Sequence, residues 1–331
     1  NTRDNTHWEI MHRIVCWGVK ANVHRGGPTG QLVNAVGWLC WNGVAKGERF
    51  LFQDRYGVQA RKGHNWQGHY GQFLAMLAQS GVQKSYQLKV DGKTYTVGNL
   101  VESEMKSCRG DIDMTFKLIG LAYYLRDTDA TWRNNQGEVW DMERVMRREI
   151  AAPILNDAPC GGTHRLMSLS YAIKARQRDG KPLTGEFSRA ERYIQDYHRY
   201  ALALQNPDGS FSTEWFRRRA AKNDLDRRLQ TTGHILEWLV FSLDDEELTQ
   251  PRVVKAVQYL NNALWSQRYK KWEIGPLGHA LHALMLYEQR VFSKLDRATA
   301  QQPATQPSGQ AAYPRTASRP ATGVRPVNLQ R

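Results

Sequence analysis

The sequence predicts an all-α fold, an (α/α)6 toroid in which six outer helices surround a ring of six inner helices. The first observation is an eight-residue segment that recurs six times and has a polar residue at its third position. The copies start 41, 45, 48, 69 and 45 residues apart, a period typical of stacked helical repeats. Apolar residues dominate the remaining positions, which indicates helices buried on every side. Closing the array into a ring buries all of these faces.

Each copy is interpreted as the first turns of an inner helix. Four copies begin with Thr, whose side-chain oxygen can cap a helix N-terminus. The N-termini of the inner helices would then gather at one mouth of the ring, where the helix dipoles attract anions. The copies cover residues 29–36, 70–77, 115–122, 163–170, 232–239 and 277–284.

Amphipathic segments precede most of the copies and are predicted to be the outer helices. The segment before the second copy, 48–60, gives no clear helix because Gly57 interrupts it. Alternating apolar and polar residues around Asp91 and Gly92 predict a β-hairpin insertion at about 85–97. The outer segments are 8–23, 98–107, 141–151, 187–204 and 251–266.

The chain divides into a toroid domain, 1–293, and a tail, 294–331. The tail is rich in Gln, Pro, Ala, Thr and Ser, a composition that predicts disorder. Six basic residues and one Asp give it a charge of +5, which leaves +9 of the total +14 for the rest of the chain. This excess could attract an anionic ligand, whereas nucleic acid is an unlikely partner because no nucleic-acid motif accompanies it.

The composition narrows the class of protein without fixing its compartment or oligomeric state. No run of 18 apolar residues is present, so we expect no transmembrane segment. Four cysteines without paired short spacing do not indicate a disulfide framework. The chain begins at Asn1, from which we expect a processed or trimmed product.

The third positions of the copies predict a ligand pocket at the mouth of the inner helices. Polar side chains that converge from six elements are what a ligand site needs. Among them, the two His residues could act as acid or base, and Lys117 and Arg165 could hold a carboxylate, phosphate or sulfate. The alternative is that these side chains satisfy loop carbonyls. The six residues are Gln31, Gln72, Lys117, Arg165, His234 and His279.

One stretch resembles a known repeat. Gln205, Gly209 and Phe211 fill the places of the Gln-and-Trp repeat of squalene and other terpenoid cyclases, with Phe instead of the usual Trp. The inner-helix copies are similar to the same superfamily, which includes the β subunits of protein prenyltransferases. The resemblance covers residues 8–292 and implies an α/α toroid. It supports a fold more than an activity.

Two carboxylates precede the third copy. Asp111 and Asp113 lie in a stretch similar to the Asp-x-Asp-Asp-Thr motif of class II terpenoid cyclases, with Met114 in place of the third Asp. The resemblance implies that Asp113 donates a proton to an alkene and that Asp111 is the first carboxylate of the motif. Such a donor must be a neutral, well-oriented carboxylic acid. The alternative is that both carboxylates favour the helix N-terminus electrostatically.

A thiol also lies at the start of an inner helix. Protein prenyltransferases bind zinc through Asp, Cys and His, and their resemblance implies that Asp157, Cys160 and His234 could mimic that set. The alternative is an inert, buried cysteine. The residues by themselves predict no metal ligand set and no cofactor, so zinc binding stays open here.

Residues 63–69 suggest a second part of the pocket. His64, Trp66 and His69 lead into the second inner helix, and an aromatic ring beside polar groups suits a sugar or a lipid headgroup. The alternative is that Trp66 is simply packed, as Trp usually is.

The leading functional hypothesis is a terpenoid-cyclase-like or prenyltransferase-like toroid that handles an isoprenoid. A second hypothesis is a polysaccharide lyase or hydrolase for acidic glycans, favoured by the basic excess and the polar third positions. A third is a non-catalytic binding or scaffold module. The sequence leaves open whether the chain is an enzyme, and it predicts a small-molecule or oligosaccharide ligand.

Overall fold

A computed structural model describes residues 1–154 and 159–292. This part of the chain is rich in helix, with eleven α-helices and four two-stranded antiparallel sheets. None of its helices combines the length and apolar character needed to cross a bilayer. The predicted disordered tail, 294–331, lies outside the described residues.

The helices are α1 (His7–Trp17), α2 (Ala35–Cys40), α3 (Gln72–Gln79), α4 (Val97–Lys106), α5 (Thr115–Tyr124), α6 (Met142–Ala151), α7 (Thr163–Arg178), α8 (Gly185–Ala203), α9 (Leu225–Ser242), α10 (Pro251–Ser266) and α11 (Ile274–Tyr287). The strands are β1 (Asn22–His24), β2 (Leu32–Asn34), β3 (Leu51–Asp54), β4 (Gly57–Ala60), β5 (Gln87–Val90), β6 (Lys93–Thr96), β7 (Trp132–Arg133) and β8 (Val139–Trp140). Each strand pairs with its neighbour in the chain, in the order β1–β2, β3–β4, β5–β6 and β7–β8.

Six helices contact one another in a closed order, α1–α3–α5–α7–α9–α11 and back to α1, and are called the helix ring below. The remaining long helices pack outside it: α4 against α5, α6 and α8 against α7, and α10 against α9 and α11. The ring helices bury side chains on several faces, as α3 shows, in which every residue from Gln72 to Ala78 is buried. The outer helices bury a single stripe, as expected for an amphipathic helix at a surface.

Five of the six predicted inner helices coincide with ring helices, but the first does not. Residues 32–34 form strand β2, and Gln31 lies in the loop before it. A helix starts only at Ala35, where the Asn34 side chain accepts a hydrogen bond from the backbone N–H of Gly37. The prediction of an inner helix at 29–36 was therefore wrong. Helix α1, predicted as an outer helix, takes that place in the ring, and a capping box of Thr6 and Glu9 fixes its start.

The predicted threonine caps were also wrong. Thr29 lies in a turn, and Thr232 lies inside α9, which begins at its own cap, Asp224. The other two are the first residues of α5 and α7 and use their hydroxyls elsewhere: Thr115 donates to Glu149, and the Thr163 hydroxyl donates to the backbone oxygen of Cys160. The Thr232 hydroxyl accepts a hydrogen bond from the Phe211 N–H. Each of these three hydroxyls thus connects a ring helix to another segment.

The predicted β-hairpin insertion is confirmed. Strands β5 and β6 pair from Gln87 with Thr96 to Val90 with Lys93, and Asp91 and Gly92 form the turn. Both turn residues have a positive φ, 48° and 77°, which the tightest hairpin turns require. Residues 48–60, where no helix was clear, contain a second hairpin, β3–β4. With four hairpins, the fold is helix-rich rather than all-α.

The stretch that resembles a Gln-and-Trp repeat ties two outer helices together. The Gln205 side chain donates to the carbonyl of Gly209 and to that of Arg252, the latter on α10. Gly209 has φ 97°, and a Cβ there would overlap the Lys255 carbonyl. Phe211 is fully buried. Glycine and glutamine at these places therefore have a structural reason that is independent of any ligand.

Lys117 belongs to a buried ion pair between a ring helix and an outer helix. Its Nζ donates to the carboxylate and the backbone oxygen of Glu104 on α4, and to the Ser107 hydroxyl. The side chains of Lys117 and Glu104 are 1% and 8% exposed. A buried charge is tolerated only when it is paired and hydrogen-bonded, so this contact fixes α4 on α5.

We therefore expect Lys117→Met to lower the free energy of unfolding by about 3–5 kcal/mol, because it leaves the Glu104 carboxylate buried without a partner. Chemical denaturation at neutral pH measures this change. The double variant Lys117→Met/Glu104→Leu is the matched control and should recover most of the loss. A single variant as stable as the wild type would show that the pair carries no such constraint.

Candidate metal centre

Four histidines meet where ring helices come together. They are His12 of α1, His164 of α7, His234 of α9 and His279 of α11. The ring centroids of His234 and His279 are 3.9 Å apart, and His164 lies 5.4 Å from His234 and 5.2 Å from His279. The His12 ring contacts His279 edge-on at 5.5 Å. The first turn of α7, the second turn of α11 and the middle parts of α1 and α9 thus bring four imidazoles into one cluster.

Three side chains in this cluster can converge on one ion. The ligand atoms of Cys160, His164 and His234 all lie within 4.8 Å of one another. A tight turn brings the thiol there: Cys160, Gly161 and Gly162 have φ of 50°, 61° and 83°. A Cβ at Gly161 would overlap the Trp215 ring, so this turn accepts only glycine at that position without rearrangement. A non-glycine residue held at positive φ is a strain often found at functional sites.

The two imidazoles present free nitrogen atoms to the cluster. Both ring nitrogens of His164 are buried and have no hydrogen-bond partner within the described residues. His234 places Nδ1 2.8 Å from the backbone oxygen of Gln230, and a donating Nδ1 leaves Nε2 with its lone pair free. Such a hydrogen bond is how metal-binding histidines are usually oriented.

The local environment favours the neutral form of these imidazoles. Burial, reinforced by the neighbouring His279, lowers the pKa of both His164 and His234 well below the ordinary value. Neutral imidazole is the form that binds metal ions. Burial raises the pKa of the Cys160 thiol to about 12, so metal binding would release its proton.

A buried carboxylate supports the cluster from one side. Glu237 is 2% exposed, and it contacts Nδ1 of His279 at 2.7 Å and Nδ1 of His282 at 2.5 Å. Burial acts to raise the pKa of Glu237, but the two histidines outweigh it and hold that pKa well below its ordinary value. The carboxylate therefore stays ionised and orients the His279 ring towards His234.

Apolar side chains line a small cavity beside the histidines. It has a volume of about 20 Å³, about enough for one water molecule. His164 and His279 form part of its wall, together with Glu237. The apolar part of its lining is Met11, Val15, Met76, Phe116, Ile119 and Met167.

The predicted layer of third positions is only partly present. Gln72, His234 and His279 lie at or beside this cavity. Gln31, Lys117 and Arg165 do not. Phe116 lies at the cavity instead of Lys117, and His164 instead of Arg165. Helices α5 and α7 are therefore rotated by about one residue relative to the expected register.

Arg165 instead points to a neighbouring outer helix. Its guanidinium donates to the Glu149 carboxylate at 3.2 Å and to the backbone oxygens of Ala152 and Pro153 at 3.0 Å. Like Lys117, it joins a ring helix to the outer layer. Neither cation is free to hold an anionic ligand in this arrangement.

Asp113 lies at the start of α5 and is engaged by two neighbours. Its carboxylate contacts Nδ1 of His69 at 3.0 Å and accepts from the N–H of Thr115 at 2.9 Å. Burial acts to raise the pKa of Asp113, but these hydrogen bonds outweigh it and hold the pKa well below its ordinary value. An ionised carboxylate is a poor proton donor to an alkene. Asp111 is exposed and pairs with Arg109 at 3.2 Å.

The remaining predicted residues lie away from the metal centre. His64 is exposed, and Trp66 packs against the core with Arg61 over its ring at 5.9 Å. His69 is nearer, since its ring lies 5.0 Å from Phe116, which in turn lies 4.9 Å from His164. Asp157 falls outside the described residues.

Sequence reasoning missed His12, His164 and Glu237 as parts of one site. His164 is the second residue of the fourth copy, one position before Arg165, which was predicted to line the pocket. His12 lies on a helix that was predicted to be outside the ring. A signal was available: the fourth, fifth and sixth copies each carry a histidine at their second or third position. Glu237 gave no such signal, because its partners lie more than 40 residues away.

No protein-family model, curated protein or solved structure that was compared with this chain matches it. The functional assignment therefore rests on the geometry of the site.

The contribution of Asp113 to the stability of the fold is expected to depend on pH. Because its folded-state pKa lies below the ordinary value of 3.8, the carboxylate stabilises the fold above that pH, and this stabilisation is lost as the pH falls through the lower folded-state pKa. We expect Asp113→Asn to be less stable than the wild type at neutral pH, with a difference that shrinks below about pH 3.8. Thermal melting across pH measures it; a constant difference at all pH values would contradict this reading.

Proposed function

We propose that this protein is a zinc-dependent enzyme whose metal ion is held by Cys160, His164 and His234. The proximity of these three ligand groups, together with the buried and unpartnered nitrogen atoms of His164, carries the proposal. Thiolate and imidazole are the ligands that zinc prefers, and three protein ligands leave a fourth position for water or substrate.

The distances are compatible with a bound ion after small side-chain movements. With zinc–sulfur and zinc–nitrogen bonds of 2.0–2.3 Å, tetrahedral ligand atoms lie roughly 3.3–3.7 Å apart. The present limit of 4.8 Å is about 1 Å larger. The unpartnered His164 ring can rotate without losing a hydrogen bond, so it is free to adjust to an ion.

The protein residues around this centre have distinct tasks. A zinc ion in such a site supplies Lewis acidity and lowers the pKa of a bound water or other nucleophile. His279, oriented by Glu237, lies against His234 and is placed to hydrogen-bond a group at the open position. Phe116 and the methionines make one side of the site apolar and limit the access of water to it.

We further propose that the helix ring and its outer helices form an α/α toroid, with the metal centre near one mouth. The closed order of ring contacts supports this. The resemblance to terpenoid cyclases and protein prenyltransferases stays a prediction. The apolar cavity holds about one water molecule, so an isoprenoid would enter it only after side chains move, and proton donation by Asp113 is unfavourable because its carboxylate is held ionised.

The other two hypotheses receive less support. An acidic glycan would need free cations at the site, whereas Lys117 and Arg165 are engaged with Glu104 and Glu149. A purely structural scaffold gives no reason for an unpartnered, buried imidazole, which costs free energy. A metal ligand role explains it.

Metal titration tests the proposal directly. We expect the metal-stripped full chain to bind one Co²⁺ with a thiolate-to-metal absorption band, and to bind one Zn²⁺ in competition with it. Cys160→Ser should abolish the band, and His164→Ala or His234→Ala should weaken metal binding by roughly 100-fold or more, since loss of supporting residues alone costs 10–100-fold.

The control variants carry the same chemical changes elsewhere. Cys16→Ser and His64→Ala should bind the metal like the wild type, because neither residue belongs to the cluster. Absence of stoichiometric binding by the wild type, or an unchanged band in Cys160→Ser, would rule out this centre.

A further inference from the structure

The most exposed aromatic side chains of the described chain lie together at the end of α10. Trp265 is 72% exposed and Tyr269 is 90% exposed. The Arg268 guanidinium lies between them, 5.5 Å from the Trp265 ring centroid and 4.7 Å from that of Tyr269. Single exposed aromatics are ordinary, but two neighbouring ones on a projecting turn indicate an interaction surface.

This turn, residues 265–272, lies at the same end of the helix ring as the metal centre. It leads through Glu273 into α11, where Gly275 packs against Trp8 and His12, and the His12 ring contacts His279 of the cluster. An ion pair of 2.9 Å between Lys270 and Asp226 holds the turn against the first residues of α9. The aromatic turn is therefore anchored beside the segments that carry the metal ligands.

The aromatic turn itself carries basic side chains. Arg268 and Lys271 are exposed within it. Aromatic side chains flanked by Lys and Arg are typical of surfaces that rest on anionic bilayers, where the rings enter the headgroup region and the cations meet the lipid charges.

We propose that this surface docks the protein on an anionic phospholipid bilayer, with Trp265 and Tyr269 inserted at the headgroup level. Single-stranded nucleic acid is the other polyanion to consider, but it requires free aromatic faces for base stacking. Here Arg268 lies over both rings. The proposal does not depend on the metal ion.

Co-sedimentation with vesicles tests this docking. We expect the full chain to bind vesicles of phosphatidylcholine and phosphatidylglycerol at low salt, and to bind vesicles of phosphatidylcholine alone much more weakly. Trp265→Ser/Tyr269→Ser should lower partitioning at least about tenfold, since burial of one large apolar side chain already contributes that much. Lys271→Gln should lower it about fivefold.

Matched control residues lie at the C-terminal end of α1. This end contacts the C-terminal part of α11 through Cys16 and Met285, whereas the aromatic turn precedes the N-terminus of α11. Trp17 is 50% exposed, and Lys20 is exposed in the short helical turn that follows. Trp17→Ser and Lys20→Gln should leave vesicle binding unchanged. Thermal melting should show all variants folded, because the altered side chains are exposed.

Three results would overturn the proposal. The first is no binding of the wild type to anionic vesicles at low salt. The second is equal binding by the wild type and Trp265→Ser/Tyr269→Ser, which would place any lipid contact elsewhere in the chain. The third is binding of single-stranded RNA, lost in that double variant, without vesicle binding.

Discussion

The helix ring buries several polar side chains, and most of them have a hydrogen-bond partner that offsets the cost of burial. Glu237 is the central example: a fully buried carboxylate on α9 that is satisfied by two histidines of α11. His12 and His234 each use a backbone oxygen of their own helix. His164 alone among these groups has no partner in the described chain, and this asymmetry locates the proposed metal centre.

The same constraint governs the outer layer. Each of the ring helices α5 and α7 turns one cation outward to a buried carboxylate: Lys117 to Glu104 and Arg165 to Glu149. These pairs fix how the helices are rotated, and the rotation decides which neighbouring residue faces the inside. Phe116 and His164 face inward as a consequence. The positions of the site residues therefore depend on the ion pairs between the ring helices and the outer helices.

Much of the helical part of the fold could be predicted from the sequence, since an apolar segment repeated at a regular spacing is a strong signal for buried helices. The first copy was misread because a short apolar run fits a strand as well as a helix, and the turn around Gly30 decides between them. Helix α1 entered the ring for reasons of tertiary packing against α11, which no local pattern reveals.

Less of the site was predictable. His234 and His279 were found because the repeat aligns them, whereas His164 was missed because one residue of helical register changes the facing direction by about 100°. That register depends on where α7 begins, after the turn of Cys160, Gly161 and Gly162. Contacts such as His69 with Asp113 join residues 44 positions apart and need the folded chain.

The contact between α1 and α11 has a consequence for synthesis. Helix α1 leaves the ribosome first among the ring helices, but its packing partner α11 is made more than 250 residues later, and Cys16 and Met285 illustrate the separation. Until then the apolar face of α1 is covered only in part, by α2 and α3. Before α11 is made, the nascent chain therefore exposes the apolar face of α1, and chaperones bind such surfaces. Closure of the ring is a late, non-local step of folding.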